Sequence, residues 1–417
     1  MTTPTEIERV DVAIGGAGLS GNLQALALAR CLGEDVTVAV VDPSPKFGGV
    51  PGDPRASTIS ESSRQLLMTL GLWDDLEEDA QPISEIRLTD SDLEDAVRPT
   101  ALAYANTVPE AFSDEPVAAS HIVANSRLAA VIQSALVSEP GVRRIVAKID
   151  DFQATPGAIE LTCGSTALTA GLLIASDGRN SALRRRAGIK VNRADHGQAA
   201  IVAVVRHSEP HGGVAVQHFL PSGPFAILPM TGNRSCVTWT ESARVAKRLL
   251  EGDPAKLLAA LEARFGGQLG NLELEGQQGG FPIVTQVARK FVADRFALIG
   301  DAARAVHPIA GQGLNLAIRD IAAMTECITD GLRVGLDVAD PATLERYERW
   351  RRFDSNVSAA MFAGLNRMFA VSNPLARSAR GFGMSLIDRL PGVKQRLVAG
   401  AAGQVGDLPK LLRGELV

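Results

Sequence analysis

Gly16, Gly18 and Gly21 fall in the order GxGxxG directly after the apolar run VDVAI at residues 10–14, and Asp42 closes the next apolar run, VTVAVVD at 36–42. That spacing suits a dinucleotide. The first glycine allows a tight turn, the second lets the backbone approach a pyrophosphate, and the third lets helix pack on strand. The helix predicted to follow, NLQALALARCLG, aims unpaired N–H groups at the anion, and Asp42 is placed to accept from a ribose. The alternative is a packing turn in some other α/β unit.

Two more carboxylates close apolar runs. GLLIASDG at 171–178 ends in Asp177-Gly178, and RFALIGD at 295–301 ends in Gly300-Asp301. Open α/β sheets hold ligands at such strand ends; for Asp177 a plain Asp-Gly turn is the alternative. After Asp301, His307-Pro308 breaks the backbone, and Gly311-Gln312-Gly313 opens the amphipathic helix LNLAIRDIAAMTECIT. A helix starting there turns a partial positive charge toward whatever precedes it. Gly311 and Gly313 leave room for a flat ring, with Leu314 and Asn315 as main-chain donors. No second GxGxxG follows a strand, so only one dinucleotide has a Rossmann site.

The remaining elements must position these groups. Residues 53–79 read as a loop carrying Arg55, then a helix burying Leu66, Leu67, Leu70 and Leu72. Arg55 is a candidate pyrophosphate contact; its alternative is a solvated arginine. Residues 84–117 show no clear period, and 124–136 form a helix with Asn125 or Ser126 as N-cap. From 199 to 285 the runs AAIVAVVRH, VAVQHF, FAILPM and CVTWT, with Gly, Pro and Asn between them, predict an inserted antiparallel sheet. His207 and His211 read as solvated loop histidines, since the Pro and Gly around them work against a helical metal pair.

Composition sets the outer limits. With 42 Lys+Arg against 47 Asp+Glu over 417 residues, the chain lacks the basic footprint of a nucleic-acid binder. Its four cysteines are far apart, without a Cys-x-x-Cys pair for zinc, a redox dithiol or an iron–sulfur cluster. No protein-bound metal is expected. The first residues lack a basic and apolar leader, and no run reaches the length of a spanning helix. The expectation is a soluble protein, or one peripheral to a membrane.

The three motifs in this order resemble the flavin-dependent aromatic hydroxylases of the p-hydroxybenzoate hydroxylase fold. Within that group the stretches DPRASTIS with LGLWDDL, PHGGVAVQHFLPSGPFAILPM and GDAARAVHPIAGQGLNLAIRD resemble the ubiquinone-biosynthesis hydroxylases, over roughly residues 10–400. The resemblance implies an α/β fold: a Rossmann-like FAD-binding domain in three pieces (1–80, 118–190 and 286–355), an inserted mixed-sheet substrate domain (81–117 and 191–285) and C-terminal helices (356–417). It implies FAD held by Gly16, Gly18, Gly21 and Asp42, with Arg55 and Arg127 alongside. Asp301 then meets the ribityl chain, Pro308 lines the reacting face of the flavin, and Asp177 and Gly178 serve both FAD and reduced nicotinamide. Asp42 stands where Glu is commoner, and Arg304 where His is frequent.

The activity so implied is hydroxylation of an electron-rich phenol ring by a flavin C4a-hydroperoxide formed from O2, with electrons from NAD(P)H or a protein donor. The cofactor carries the difficult chemistry while the protein orients the substrate and excludes water. Phe219, Phe225, Leu228 and Pro229 are candidate substrate-wall residues, plain core being the alternative for each. The implied substrate is a prenylated phenol, with a soluble aromatic compound as the alternative. The implied location is cytoplasmic, peripheral on the inner face of the membrane through 359–371 and Leu386, Leu390 and Leu397, with helices packing on the FAD domain as the other reading. A quinone-biosynthesis complex is the implied assembly, and a flavin-binding scaffold without turnover the rival from another class. A halogenase is disfavoured because Trp73, Trp239 and Trp350 form no Trp-x-Trp motif, and a disulfide reductase because paired cysteines are absent.

Overall fold

A computed structural model describes residues 8–48, 52–90, 93, 98–110, 113–306, 311, 313–352 and 398–417. The chain opens with β1 (Glu8–Gly15), α1 (Leu19–Leu32), β2 (Val38–Asp42), β3 (Ala56–Ser60) and α2 (Glu61–Thr69). Then come β4 (Gln81–Pro82), β5 (Glu85–Asp90), β6 (Thr100–Ala105), β7 (Thr107–Glu110), β8 (Ser113–Ala118) and β9 (Ser120–Ala124). Next are α3 (Asn125–Val137), β10 (Val142–Val146), β11 (Ile149–Thr155), β12 (Ala158–Cys163), β13 (Thr166–Ala175) and α4 (Ala182–Arg186). They are followed by β14 (Val191–His207), β15 (Val214–Leu220), β16 (Gly223–Met230), β17 (Arg234–Ser242), α5 (Ala243–Leu250), α6 (Pro254–Phe265) and β18 (Leu272–Ala288). Last come β19 (Val292–Ala293), β20 (Phe296–Leu298), β21 (Arg304–Ala305) and α7 (Gly313–Arg333), and residues 341–352 are helical as well.

The first sheet runs β10-β2-β1-β13-β12-β11, and β20 pairs with β13. Strands β10, β2, β1, β13 and β20 are mutually parallel, so their carboxyl ends share one edge. Such a sheet is covered on both faces, which explains the continuous apolar runs: Val12, Ala13, Ile14, Val38, Val40, Leu172 and Ile174 are fully buried. Helices α1 and α7 belong to the same core through Leu23, Leu26, Ile318, Ile321 and Met324.

The second sheet runs β21-β18-β14-β17-β16-β15-β5-β6. Alternation along its strands gives it two different faces. Phe225, Ile227, Val237 and Trp239 lie under α5 and α6 with Leu257, Leu261 and Phe265. Ala215, Leu228, Met230, Cys236 and Phe281 pack toward β3 and β9 through Ala56, Ile122 and Ala124. The aperiodic stretch 84–117 supplies β5 and β6, which complete this sheet, and the hairpin of β7 with β8.

Three local expectations change. Helix α3 is capped at Ala124 without a side-chain bond; Asn125 lies inside the helix and accepts from the Ser57 hydroxyl at 2.7 Å. His207 is buried at the end of β14, hydrogen-bonded to the Glu209 carbonyl at 2.7 Å and Ser235 Oγ at 3.1 Å, so it is no solvated loop residue. The region 199–285 also holds α5 and α6, whose short amphipathic segments are masked in the sequence by their strand-rich surroundings.

Candidate functional site

The carboxyl edge of the parallel sheet gathers most of the predicted groups. Between β1 and α1, Gly16 takes φ +110° and its amide donates to the Val41 carbonyl at 2.9 Å. A side chain there would press on the Ser176 carbonyl oxygen at 2.6 Å, and one on Gly21 would overlap the Gly16 carbonyl. Gly18 differs: a Cβ there meets nothing within 4 Å. Two glycines of the motif therefore serve the turn and the helix–strand approach, while the third borders open space.

Asp42 at the end of β2 accepts from the Ala17 amide at 2.8 Å through Oδ2 and from the Ser44 amide at 2.8 Å through Oδ1. It holds the glycine turn against its neighbour strand. Each oxygen keeps a lone pair for a further donor. Buried Asn22 adds a second fastening, donating to the carbonyls of Ala17 at 2.9 Å and Phe47 at 2.8 Å.

The ends of β13 and β20 are tied to each other. Asp177 Oδ2 accepts from the Ala182 amide at 2.7 Å and the Leu183 amide at 3.1 Å, and Ser181 caps the Arg184 amide at 2.8 Å. Buried Arg184 then donates to the Ala302 carbonyl at 2.7 Å and the Arg179 carbonyl at 3.1 Å. Asp177 Oδ1 is buried without a hydrogen-bond partner among the described residues, an acceptor open to a ligand donor. Gly178, at φ +80°, meets nothing where a Cβ would stand.

Asp301 keeps an accessible carboxylate while protein surrounds it, as at the floor of a cleft. That enclosure raises its pKa above the usual carboxylate value, against the pull of Arg179, Arg55 and Arg304. Arg55 extends from the loop before β3, pairs with Asp53 at 2.8 Å and stacks 4.9 Å from the Phe281 ring centroid of the second sheet. The Asp53 hydrogen bond holds its guanidinium above the ordinary arginine pKa. Arg127 turns elsewhere, to Asp79 at 2.6 Å and the Asp75 carbonyl at 2.8 Å.

Helix α7 begins at Gly313, where a Cβ would meet open space. Asn315 is buried; it accepts from the Ser60 amide at 3.0 Å and donates to the Thr58 carbonyl at 2.8 Å, bonding to β3 as another strand would. Its side chain thus anchors the helix, a role the sequence reading did not assign beside the main-chain one. Gly311 approaches β3 as well, 2.7 Å separating a Cβ there from Thr58 Oγ1. Pro308 lies outside the described residues.

Beneath this edge is a charge network that no sequence motif signals. Asp320 of α7 is fully buried and accepts from the Gly300 amide at 3.0 Å, Arg304 at 2.9 Å and Arg351 at 2.8 Å. Arg304 also donates to the Leu316 carbonyl at 2.5 Å, and buried Tyr347 donates to Leu298 at 2.7 Å. The arginine at the position where histidine is frequent is therefore the cation that binds strand end to helix.

The four substrate-wall candidates divide by strand parity. Phe219 shares the face of Ala215 and Gln217, and Leu228 shares that of Cys236, toward β3 and β9. Phe225 is fully buried among His218, Trp239 and Phe265 on the helix-covered face, and Pro229 follows the same parity. That takes Phe225 and Pro229 out of any wall on the side of β3 and β9.

The glycine turn, the paired carboxylate ends and the amino end of α7 offer a pyrophosphate-binding backbone, acceptors for sugar hydroxyls and a positive helix pole. Gly18, Gly178 and Gly313 leave space around them, so the residues fit FAD. The chain matches the FAD binding domain family over residues 9–356. It is 36% identical over 417 residues to ubiquinone hydroxylase UbiL of Rhodospirillum rubrum, covering 97% of this chain and 92% of that one. With 3-demethoxyubiquinol 3-hydroxylase of Escherichia coli it shares 29% identity over 411 residues, 96% and 99% of the two chains. Its fold matches p-nitrophenol 4-monooxygenase PnpA from Pseudomonas putida with a TM-score of 0.78 at 20% identity, over 94% and 98% of the chains. Aligned nearly end to end with such relatives, the chain belongs to the FAD binding domain family.

Proposed function

We propose that this protein is an FAD-dependent monooxygenase that hydroxylates the aromatic ring of a polyprenylated phenol in ubiquinone biosynthesis, using O2 and NAD(P)H. The observation that carries the reading is the full-length 36% identity to a ubiquinone hydroxylase. FAD, when bound, supplies the redox chemistry and the activation of dioxygen.

The chain's own residues hold and orient. Backbone amides of the Gly16–Gly18 turn and the positive pole of α1 take the pyrophosphate, Asp42 a ribose hydroxyl, and Asp301 the ribityl hydroxyls. Asp177 and Gly178 face the cofactor from the end of β13, and Arg55 spans the cleft above. First-turn amides of α7, Gly313 and Leu314 among them, would offer donors and a preorganised partial positive charge to the bound flavin. Asn315 holds that turn in place. The face of the second sheet with Phe219 and Leu228 forms the substrate wall and excludes water.

The domain division follows the sheets. Residues 8–42, 142–175 and 292–298 make the first sheet, and 85–105, 191–288 and 304–305 the second, which supports a discontinuous FAD-binding unit with an inserted substrate unit. Among the described residues no helix is long and apolar enough to cross a membrane. Peripheral contact with the inner face of the membrane, through 359–371 and Leu386, Leu390 and Leu397, involves segments outside the described residues.

Deleting the gene tests the reading. A prenylphenol one oxygen short should accumulate and disappear when the gene is restored. An unchanged quinone pool, in cells without a second such hydroxylase, contradicts it.

A further inference from the structure

Strand β15 presents Ala215, Gln217 and Phe219 to the side on which β3 and β9 pack and Val216, His218 and Leu220 to the opposite side. Gln217 is the one polar side chain of the three. It lies in a row across the sheet, next to Leu88 of β5 and Ala226 of β16, with Thr238 of β17 beyond. On one side of this row, Ala215 and Cys236 are buried in a cluster with Ile122, against which Ala56 and Ala124 pack, while Leu228 is half-buried. On the other, Phe219, Pro224 and Thr240 are buried. Between them Gln217, Ala226 and Thr238 stay half-buried, leaving an opening over the middle of an interior sheet face.

The amide nitrogen of Gln217 is itself buried and meets no hydrogen-bond acceptor among the described residues. Buried amides are nearly always paired, and one left over in a central strand signals an acceptor that arrives from outside the chain. Leu or Met would fill the same volume beside Leu88 and Ala226 without that cost. On the same face, four strands from β15, Arg55 stacks on Phe281, which neighbours Ala200 in the adjoining row.

We infer that Gln217 is a positioning and specificity residue whose side-chain amide donates a hydrogen bond to an oxygen substituent on the aromatic substrate ring, holding the ring over the sheet. The inference rests on the proposed function and adds to it the group that separates an oxygenated ring from a bare one. A site that spends a buried donor on a substrate oxygen rejects the analogue lacking it, because the donor is then left unpaired. Alanine and phenylalanine on either side supply only contact.

The test uses the FAD-loaded protein with 2-geranylphenol and geranylbenzene in detergent, reading dissociation constants from flavin absorbance changes and hydroxylated product by mass spectrometry. Wild type should bind the phenol on the order of tenfold to a hundredfold more tightly than the hydrocarbon. Gln217→Leu should erase that preference by weakening phenol binding alone, with FAD content and melting temperature unchanged; Gln217→Asn, which keeps the donor on a shorter stem, should fall between. More NAD(P)H should be consumed per product in Gln217→Leu, as a loosened ring misses the reacting position. If wild type hydroxylates the phenol and Gln217→Leu discriminates as well as wild type, the inference is overturned and the proposed function stands. If wild type neither binds nor hydroxylates the phenol, both fall.

Discussion

Asn315 and Ser60 are joined at 3.0 Å by a bond from the Ser60 amide to the Asn315 side chain, which returns a second bond to Thr58 at 2.8 Å. The first turn of α7 is thereby docked on β3 by a side chain that imitates a strand. Asn315→Ala leaves a buried amide and a buried carbonyl without partners and should cost about 1–3 kcal/mol for each group that finds no water. Thermal unfolding should show the loss, and FAD titration should show weaker binding, because the helix pole is no longer held. Unchanged FAD affinity would place the α7 terminus away from the cofactor.

The glycines of the first turn should separate into two classes. Gly21→Ala forces a methyl group into the Gly16 carbonyl and should lower the melting temperature of the apoprotein. Gly18→Val enters open space at φ −71°, so the apoprotein should fold normally yet bind FAD at least about tenfold more weakly. Equal stability losses from both would mean that neither glycine borders a ligand.

Asp320→Asn removes the charge shared by Arg304 and Arg351, two guanidinium groups only 3% and 1% exposed. Breaking a buried ion pair on one side costs about 3–5 kcal/mol. Denaturant unfolding should report a loss of that order. Since Asp320 also takes the Gly300 amide, FAD release should quicken in the same variant.

Acid should destabilise the fold through His218, which is buried, and His121, which is half-buried. Burial lowers the pKa of both His121 and His218 to about 4, the first with help from Arg64 and the second from Arg98. The unfolded chain protonates them near pH 6.5, so it binds more protons than the native state between about 6.5 and 4. Stability is full above 6.5 and falls as pH drops through this window, by at most about 3 kcal/mol per histidine. Replacing His218 by Phe should flatten the melting-temperature profile between pH 6.5 and 4; an unchanged slope assigns the acid sensitivity to other groups.

Legibility in the sequence followed locality. The placing of Gly16, Gly18, Gly21, Asp42 and Asp301 at a tight turn and at strand ends could be read because turn, strand end and helix start lie within a few residues of one another. Asn315, Arg184 and Asp320 act through partners far along the chain: 255 residues separate Asn315 from Ser60, and 118 separate Arg184 from Ala302. No periodicity records such pairings. Phe225 and Pro229 show a different limit. A strand's alternation tells which residues share a face, but only the packing of α5 and α6 tells which face is covered.

Oxygen transfer to a prenylated phenol would show itself in turnover by the purified FAD-loaded protein under heavy-isotope dioxygen. With NADPH or NADH and a short-chain prenylphenol, a ring-hydroxylated product carrying one heavy oxygen should form, in amounts tracking FAD content. Consumption of NAD(P)H with only peroxide formed, or a product whose new oxygen comes from water, would contradict it.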